Sequence, residues 1–284
     1  MLLTTKTTKT TKNKFISLCG ASILSVSLLS AGMVNAVEPT KLELAITGEH
    51  RSDNNKARDS FRHPRDTLVF FGFNSTMTVV EVTPGGGWYT EILAPALKGT
   101  GKLYGAHYPD TGEDNYYSNS RKSLEKKLAS HTVFSDVELT NFIPRKESVL
   151  APKTSVDLVL TFRNLHNWGE EGMAQMFKDA FTALKEGGVL GVVEHRMPAA
   201  QNWATNKRSG YVPTAMVVKL AKEAGFVLAA SSEINANVKD DANHPKGVWT
   251  LPPVLRLGEK DKDKYLAIGE SDRMTLKLVK PAFK

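Results

Sequence analysis

Two histidines stand just past the ends of apolar, strand-like runs. His166 follows the run 156–161, and His195 closes the run 189–194. An imidazole gives or takes a proton near neutral pH, so it is the natural general base. A lone histidine is more often structural, but two at neighbouring strand ends over one cleft favour chemistry. His195 ranks first as base and His166 second, with the Tyr211 hydroxyl as an accessory. Asn164, two residues before His166, is an amide able to orient a nucleophile. A second stretch carries binding chemistry: Glu81-Val82-Thr83-Pro84-Gly85-Gly86-Gly87-Trp88-Tyr89-Thr90. Its glycines reach positive φ and admit a ligand close to the main chain. A strand, a glycine turn and a helix in succession offer backbone N–H groups and a helix N-terminus to an anionic or polar ligand. Glu81 sits near the strand's C-terminal end, where open α/β sheets bind ligands. The chain shows no metal-ligand spacing, no nucleophile elbow and no phosphate loop ending in Gly-Lys-Ser/Thr. It also lacks the Gly-x-Gly-x-x-Gly of dinucleotide binders, which ranks a nicotinamide enzyme low.

The elements that must position these groups alternate along the chain. Apolar β-branched runs at 78–82, 102–107, 132–142, 156–161, 189–194, 226–233 and 273–279 read as strands. Between them, 89–97, 119–129, 170–184 and 213–224 read as helices, and 185–188 as a glycine-ended helix stop. This alternation predicts an α/β Rossmann-like fold: seven strands, mostly parallel, helices on both faces and one antiparallel edge strand. Residues 37–73 read as an N-terminal helical cap, with helices at 41–48 and 54–62 and a compact apolar piece at 67–73. Arg62 or His63 would point from it into the cleft. Residues 234–272 are polar and too long for a simple connection, so they read as a long loop or lid.

The first 36 residues read as a secretory signal peptide: a lysine-bearing start, an apolar stretch at 15–34 and small residues before a cut. Its five serines make it weakly apolar for a permanent span, so no stable membrane anchor is expected after cleavage. The mature domain is then 37–284, exported to the periplasm. Cleavage removes four lysines and no acids, leaving 33 Lys+Arg against 30 Asp+Glu, so the net charge falls from +7 to +3. The basic balance therefore argues for no nucleic-acid partner. Cys19, the only cysteine, leaves too, so folding does not depend on disulfides.

The first loop, the strand Asp157-Leu158-Val159-Leu160 and the stop Leu184-Lys185-Glu186-Gly187-Gly188 together resemble class I S-adenosylmethionine-dependent methyltransferases. More narrowly, Arg62-His63-Pro64, Gly85 to Leu93, Thr161-Phe162-Arg163-Asn164 and Glu194-His195-Arg196 resemble an exported bacterial subgroup of predicted methyltransferases. The match covers about residues 50–281. The resemblance implies S-adenosyl-L-methionine as cofactor and a small-molecule methyl acceptor. It implies a cofactor set of Glu81, Gly85, Gly86, Gly87, Tyr89, His107, Asp110 and Asn164. It places Asn164, His166 and Trp168 towards the transferred methyl, with Trp168 either a wall for the sulfonium cation or packed on the next helix. The chain departs from the family after strand two, where an acid usually holds the ribose hydroxyls and His107 stands instead. Either Asp110 reaches back, or cofactor binding is weak, or the ligand is a different one. The alternative function is a non-catalytic periplasmic small-molecule-binding protein on the same scaffold.

Overall fold

The computed structural model describes residues 40–282; the expected leader over 1–36 lies outside them. The chain opens with α1 (Lys41–Thr47), started by a capping box in which the Thr40 hydroxyl accepts from the Glu43 N–H and the Glu43 carboxylate accepts from the Thr40 N–H. The helix expected over 54–62 is two short pieces, α2 (Asp53–Lys56) and α3 (Asp59–Arg62). Asp59 is clasped by both terminal nitrogens of Arg51, at 2.8 and 2.7 Å. The apolar piece at 67–73 is largely helical, in α4 (Pro64–Phe71), which starts on Pro64 and buries Leu68 and Phe71. A short continuous apolar run carries no period that separates helix from strand.

The next elements follow the expected alternation. They are β1 (Thr78–Val82), α5 (Thr90–Leu97), β2 (Lys102–His107), α6 (Tyr116–Ala129), β3 (Val137–Asn141), β4 (Val156–Phe162) and α7 (Gly169–Ala183). Then come β5 (Leu184–His195), α8 (Trp203–Asn206), α9 (Thr214–Glu223), β6 (Val227–Ser232), α10 (Lys262–Ile268) and β7 (Arg273–Val279). The stop expected at 185–188 is instead the extended start of β5. The Gly187 N–H donates to the Lys280 carbonyl at 2.8 Å and the Lys280 N–H to Gly188 at 2.9 Å, so this segment is paired rather than capping α7.

The sheet order is β3-β2-β1-β4-β5-β7-β6. All pairings are parallel except those of β7, which runs antiparallel to β5 and β6 at the expected edge. The chain winds outward from β1 to β3, then crosses back to β4, so β1 and β4 flank the topological switch point. Val79, Val80 and Val82 of β1 are fully buried, because helices cover both faces. One face packs Val80, Val159 and Leu190 against Met176 and Phe177 of α7; the other packs Val79, Leu158 and Leu160 against Phe71, Ile92 and Leu93.

The segment between β6 and β7 carries α10 and is tied down. Asn237 Nδ2 donates to the carbonyls of Ile268 and Glu270, and Asn235 Nδ2 donates to the hydroxyls of Thr67 and Thr275. The helices before β1 dock on the glycine turn through Trp88. Its ring lies under the guanidinium of Arg62 at 4.5 Å, and its Nε1 donates to the Asn55 carbonyl. Among the described residues no helix is long and apolar enough to cross a membrane.

Candidate active site

The glycine turn leaves β1 through Thr83, whose N–H donates to the Ala106 carbonyl of β2 at 2.7 Å. Gly85 (φ 59°) and Gly87 (φ 80°) lie in the left-handed region. A Cβ placed on Gly85 or Gly86 would meet nothing within 4 Å, so this side of the turn faces open space. A Cβ on Gly87 would come within 2.8 Å of Lys127 Cδ and 3.2 Å of Leu124 Cδ1, so Gly87 serves the packing of α6. Glu81 is buried beneath the turn and accepts from Thr90 Oγ1 at 2.7 Å. Burial pushes its carboxyl up to about 7, against the pull of Thr90 and Arg163.

Beyond β2 the side chains stand differently from the expectation. His107 is fully buried, with Nε2 3.2 Å from Ser120 Oγ and Nδ1 without a partner. Burial, and then Arg121, bring its pKa down to about 4, so it is neutral. Asp110 is exposed, and its carboxylate turns onto the Gly112 N–H at 2.9 Å, with Lys122 at 3.6 Å. Beside them lies a cavity of about 380 Å³ with walls from Tyr108, Tyr117, Phe142 and Trp168. The acid that borders it is Glu113, not Asp110. Trp168 is wholly buried against the first turn of α7 and donates Nε1 to Tyr108 Oη at 2.9 Å. It packs on the next helix, as one of its two expected roles has it, and it also lines the cavity.

A second cavity, about 290 Å³, opens above the ends of β4 and β5. Arg58 and Arg62 of the N-terminal helices, Arg163, His166 and His195 from the strand ends, and Trp249 of the 234–272 segment border it. Asn164 ties this rim to the glycine turn: Nδ2 donates to the Val82 and Thr83 carbonyls at 3.2 and 3.3 Å. The two histidine rings lie 5.2 Å apart. Their organiser is Glu194, 0% exposed. Its Oε2 accepts the Leu165 N–H at 2.6 Å; its Oε1 accepts the His195 N–H at 2.8 Å and sits 3.0 Å from His166 Nδ1. A carboxylate on Nδ1 leaves Nε2 as the basic nitrogen of His166. His195 Nδ1 pairs with Ser271 Oγ. Burial, then His166 and the nearby arginines, holds the His195 pKa well below its ordinary value, so it is a neutral base. Ligand atoms of His166, Glu194 and His195 lie within 4.8 Å of one another, a grouping the sequence spacing did not reveal. Both oxygens of Glu194 are already engaged, so the trio reads as an orienting network.

Two expected site residues are turned away. Tyr89 is 2% exposed and stacks flat on Phe162 at 3.5 Å, its hydroxyl donating to the Arg62 carbonyl. It is core under the cap, because its position one residue before α5 faces the sheet. Tyr211 is fully buried, its hydroxyl held by both oxygens of Asp240 at 3.1 and 3.0 Å. It backs the His195 ring at 6.2 Å and does not border the cavity. Glu194, Arg163, Glu113 and Glu270 were missed by the sequence reading. Glu194 and Arg163 carried a signal: each is a charged side chain that follows an uncharged stretch of strand, 189–193 and 158–162.

Solved structures share this architecture. A S-adenosylmethionine-dependent methyltransferase from Aquifex aeolicus matches with a TM-score of 0.53 at 15% identity, over 79% of this chain and 93% of that one. A candidate sarcosine dimethylglycine methyltransferase from Galdieria sulphuraria gives 0.55 at 12%, over 80% and 86%. The [4+2]-cyclase SpnF gives 0.54 at 13%, over 86% and 98%. No protein-family model and no curated protein matches the chain. The fold is that of class I S-adenosylmethionine-dependent methyltransferases, and at these identities the likeness speaks for the fold.

Proposed function

We propose that the protein transfers a methyl group from S-adenosyl-L-methionine to a small molecule, and that it works after export, in the periplasm, once its signal peptide is removed. One observation carries the reading. The aromatic cavity and the histidine cavity share Asn167 as a wall, and Asn164, which borders the second, hydrogen-bonds the Val82 and Thr83 carbonyls where the glycine turn leaves β1. That arrangement suits a two-part ligand whose reactive centre meets a second molecule.

The residues fit the cofactor in parts. Gly85 and Gly86 leave room for its amino-acid end, with Glu81 below and the N-terminus of α5 beside it. The flat aromatic walls suit an adenosine, and Glu113 supplies the carboxylate for its ribose in place of the expected Asp110. When bound, S-adenosylmethionine supplies an electrophilic methyl group. The protein's own part is then to hold an acceptor in the second cavity, exclude water and take one proton. Neutral His195 takes it, Ser271 and Glu194 fix its ring and backbone, and His166 stands second, its Nδ1 held by Glu194. Asn164 keeps the β4 end against the glycine turn.

A second reading, a non-catalytic small-molecule-binding protein, draws on the buried neutral His107 at the place where the family carries an acid. Incubation of the 37–284 protein with methyl-labelled S-adenosylmethionine and a periplasmic extract separates the two. Label in a small product is expected. A co-purified compound unrelated to the cofactor, with no label transferred, supports the second reading instead.

A further inference from the structure

Four guanidinium groups crowd one carboxylate beside the histidine cavity. Arg58 Nε lies 2.6 Å from Glu270 Oε1, Arg62 Nε 3.2 Å from Oε2, and Arg273 Nη1 3.3 Å from Oε2. Arg163, the fourth, borders the same cavity as Glu270 without pairing with it. Burial lowers the proton affinity of Arg62, Arg163 and Arg273; Arg58 lowers each of the three further, and Arg163 lowers Arg62 and Arg273, so the cations repel one another. The other acid close by, Glu194, is fully engaged by two backbone N–H groups and His166. The two histidines add no negative charge. The pocket therefore holds an excess of positive charge that the protein does not neutralise.

Arg163 is the least satisfied member. Its Nη1 is buried and makes no hydrogen bond. Its backbone sits at φ 60°, a conformation that costs an arginine about 1 kcal/mol or more, held by the Arg163 N–H donating to the Val193 carbonyl at 2.7 Å. A buried donor without an acceptor costs roughly a further 1–3 kcal/mol. Both costs fall on a side chain that borders the cavity, next to His166 and His195. Arg58 and Arg62 border the same space, each committing Nε to Glu270 and leaving terminal nitrogens for a second partner. A planar fork of donors around an open volume is the standard geometry for a bound oxyanion.

We propose that this cavity binds a compact anionic group, carboxylate or phosphate, on Arg163 with Arg58 and Arg62, and that the molecule acted upon is therefore an acidic one. The anion site stands by itself; its assignment to the methyl acceptor rests on the methyltransferase reading. Burying the anion among the arginines would seat the rest of the acceptor against His195 and the Trp249 ring.

The test is calorimetric titration of the 37–284 protein with benzoate, inorganic phosphate and neutral benzamide, each with and without S-adenosylhomocysteine. Benzoate or phosphate is expected to bind at one site in the millimolar range or tighter, and benzamide not to bind. The stronger of the two anions names the group. Arg163→Gln is expected to weaken the anion about tenfold or more, equivalent to about 1.4 kcal/mol, and Arg163→Lys to recover part of it. S-adenosylhomocysteine affinity should stay within about threefold in both. Arg58→Gln, on a partly exposed side chain, repeats the test if the Arg163 variants misfold. No anion binding, or equal binding of benzamide, overturns the proposal. So does competition between benzoate and S-adenosylhomocysteine with a parallel loss in Arg163→Gln, which assigns the arginines to the cofactor's own carboxylate. Anion binding without S-adenosylhomocysteine binding keeps the site and removes the methyltransferase reading.

Discussion

Adjacent glycines in one turn give a paired test, because the structure assigns them different work. Gly86 has an ordinary φ and open space where a Cβ would go. Gly86→Val should therefore change stability by about 0.5 kcal/mol or less, as for a substitution away from any packed feature. The same side chain would stand in the space that a ligand needs to reach the turn. Losing two backbone contacts at about 1 kcal/mol each weakens S-adenosylhomocysteine by roughly 30-fold, before any steric clash. Gly87→Val reverses the balance. Its φ of 80° costs a side chain about 1–2 kcal/mol, more for a β-branched one. Its Cβ would also press on Leu124 at 3.2 Å and displace Lys127. A loss of about 2 kcal/mol is expected, lowering Tm by roughly 4–8 °C for a domain of this size. Urea denaturation and calorimetry on both variants read the two effects separately. A folded Gly86→Val that binds as tightly as wild type refutes the reasoning. So does a Gly86→Val that unfolds as readily as Gly87→Val.

Three further outcomes follow from the buried groups. The His195 imidazole resonances should not shift between pH 6 and 8, because the ring stays neutral; a midpoint in that range would contradict the burial argument. His195→Ala should cut methyl transfer by about 100-fold or more while leaving S-adenosylhomocysteine affinity within threefold, and equal rates would remove His195 from the chemistry. His107, held down to about 4, should set part of the acid limit. The unfolded chain binds this proton below its ordinary value of 6.5 and the folded chain does not, so its contribution is intact above pH 6.5 and lost as pH falls towards 4. Glu81, pushed up to about 7, acts with the opposite sign over pH 4.5–7 and masks it in the wild type. The difference between His107→Gln and wild type isolates it: the variant should gain about 3 kcal/mol in relative stability from pH 6.5 to 4, measured by urea denaturation, and a flat difference would contradict this.

The frame was legible because buried parallel strands write themselves as apolar runs. The β1, β2 and β7 boundaries match the expected 78–82, 102–107 and 273–279. Strand order was less legible: only long-range pairing shows that β7 inserts between β5 and β6. The histidine pair was found from strand-end position alone, which on parallel strands brings residues to one rim. Side-chain direction was not available from position. Tyr89 and Tyr211 have types suited to the cleft, yet each ring points into the core, and Asp110 closes its own turn. Glu194 and Arg163 were read as parts of motifs, since a sequence does not reveal which charges a fold will bury together. The run 185–188 looked like a helix stop because its glycines fit one, and its pairing partner, Lys280, lies 92 residues downstream of Gly188.

The most direct measurement is calorimetric titration of the 37–284 protein with S-adenosylhomocysteine at pH 7. One site with micromolar affinity, weakened about 30-fold or more in Gly86→Val, is the predicted result. No heat at millimolar ligand, from a protein shown to be folded, would contradict the claim that the glycine turn and the aromatic cavity form a cofactor site.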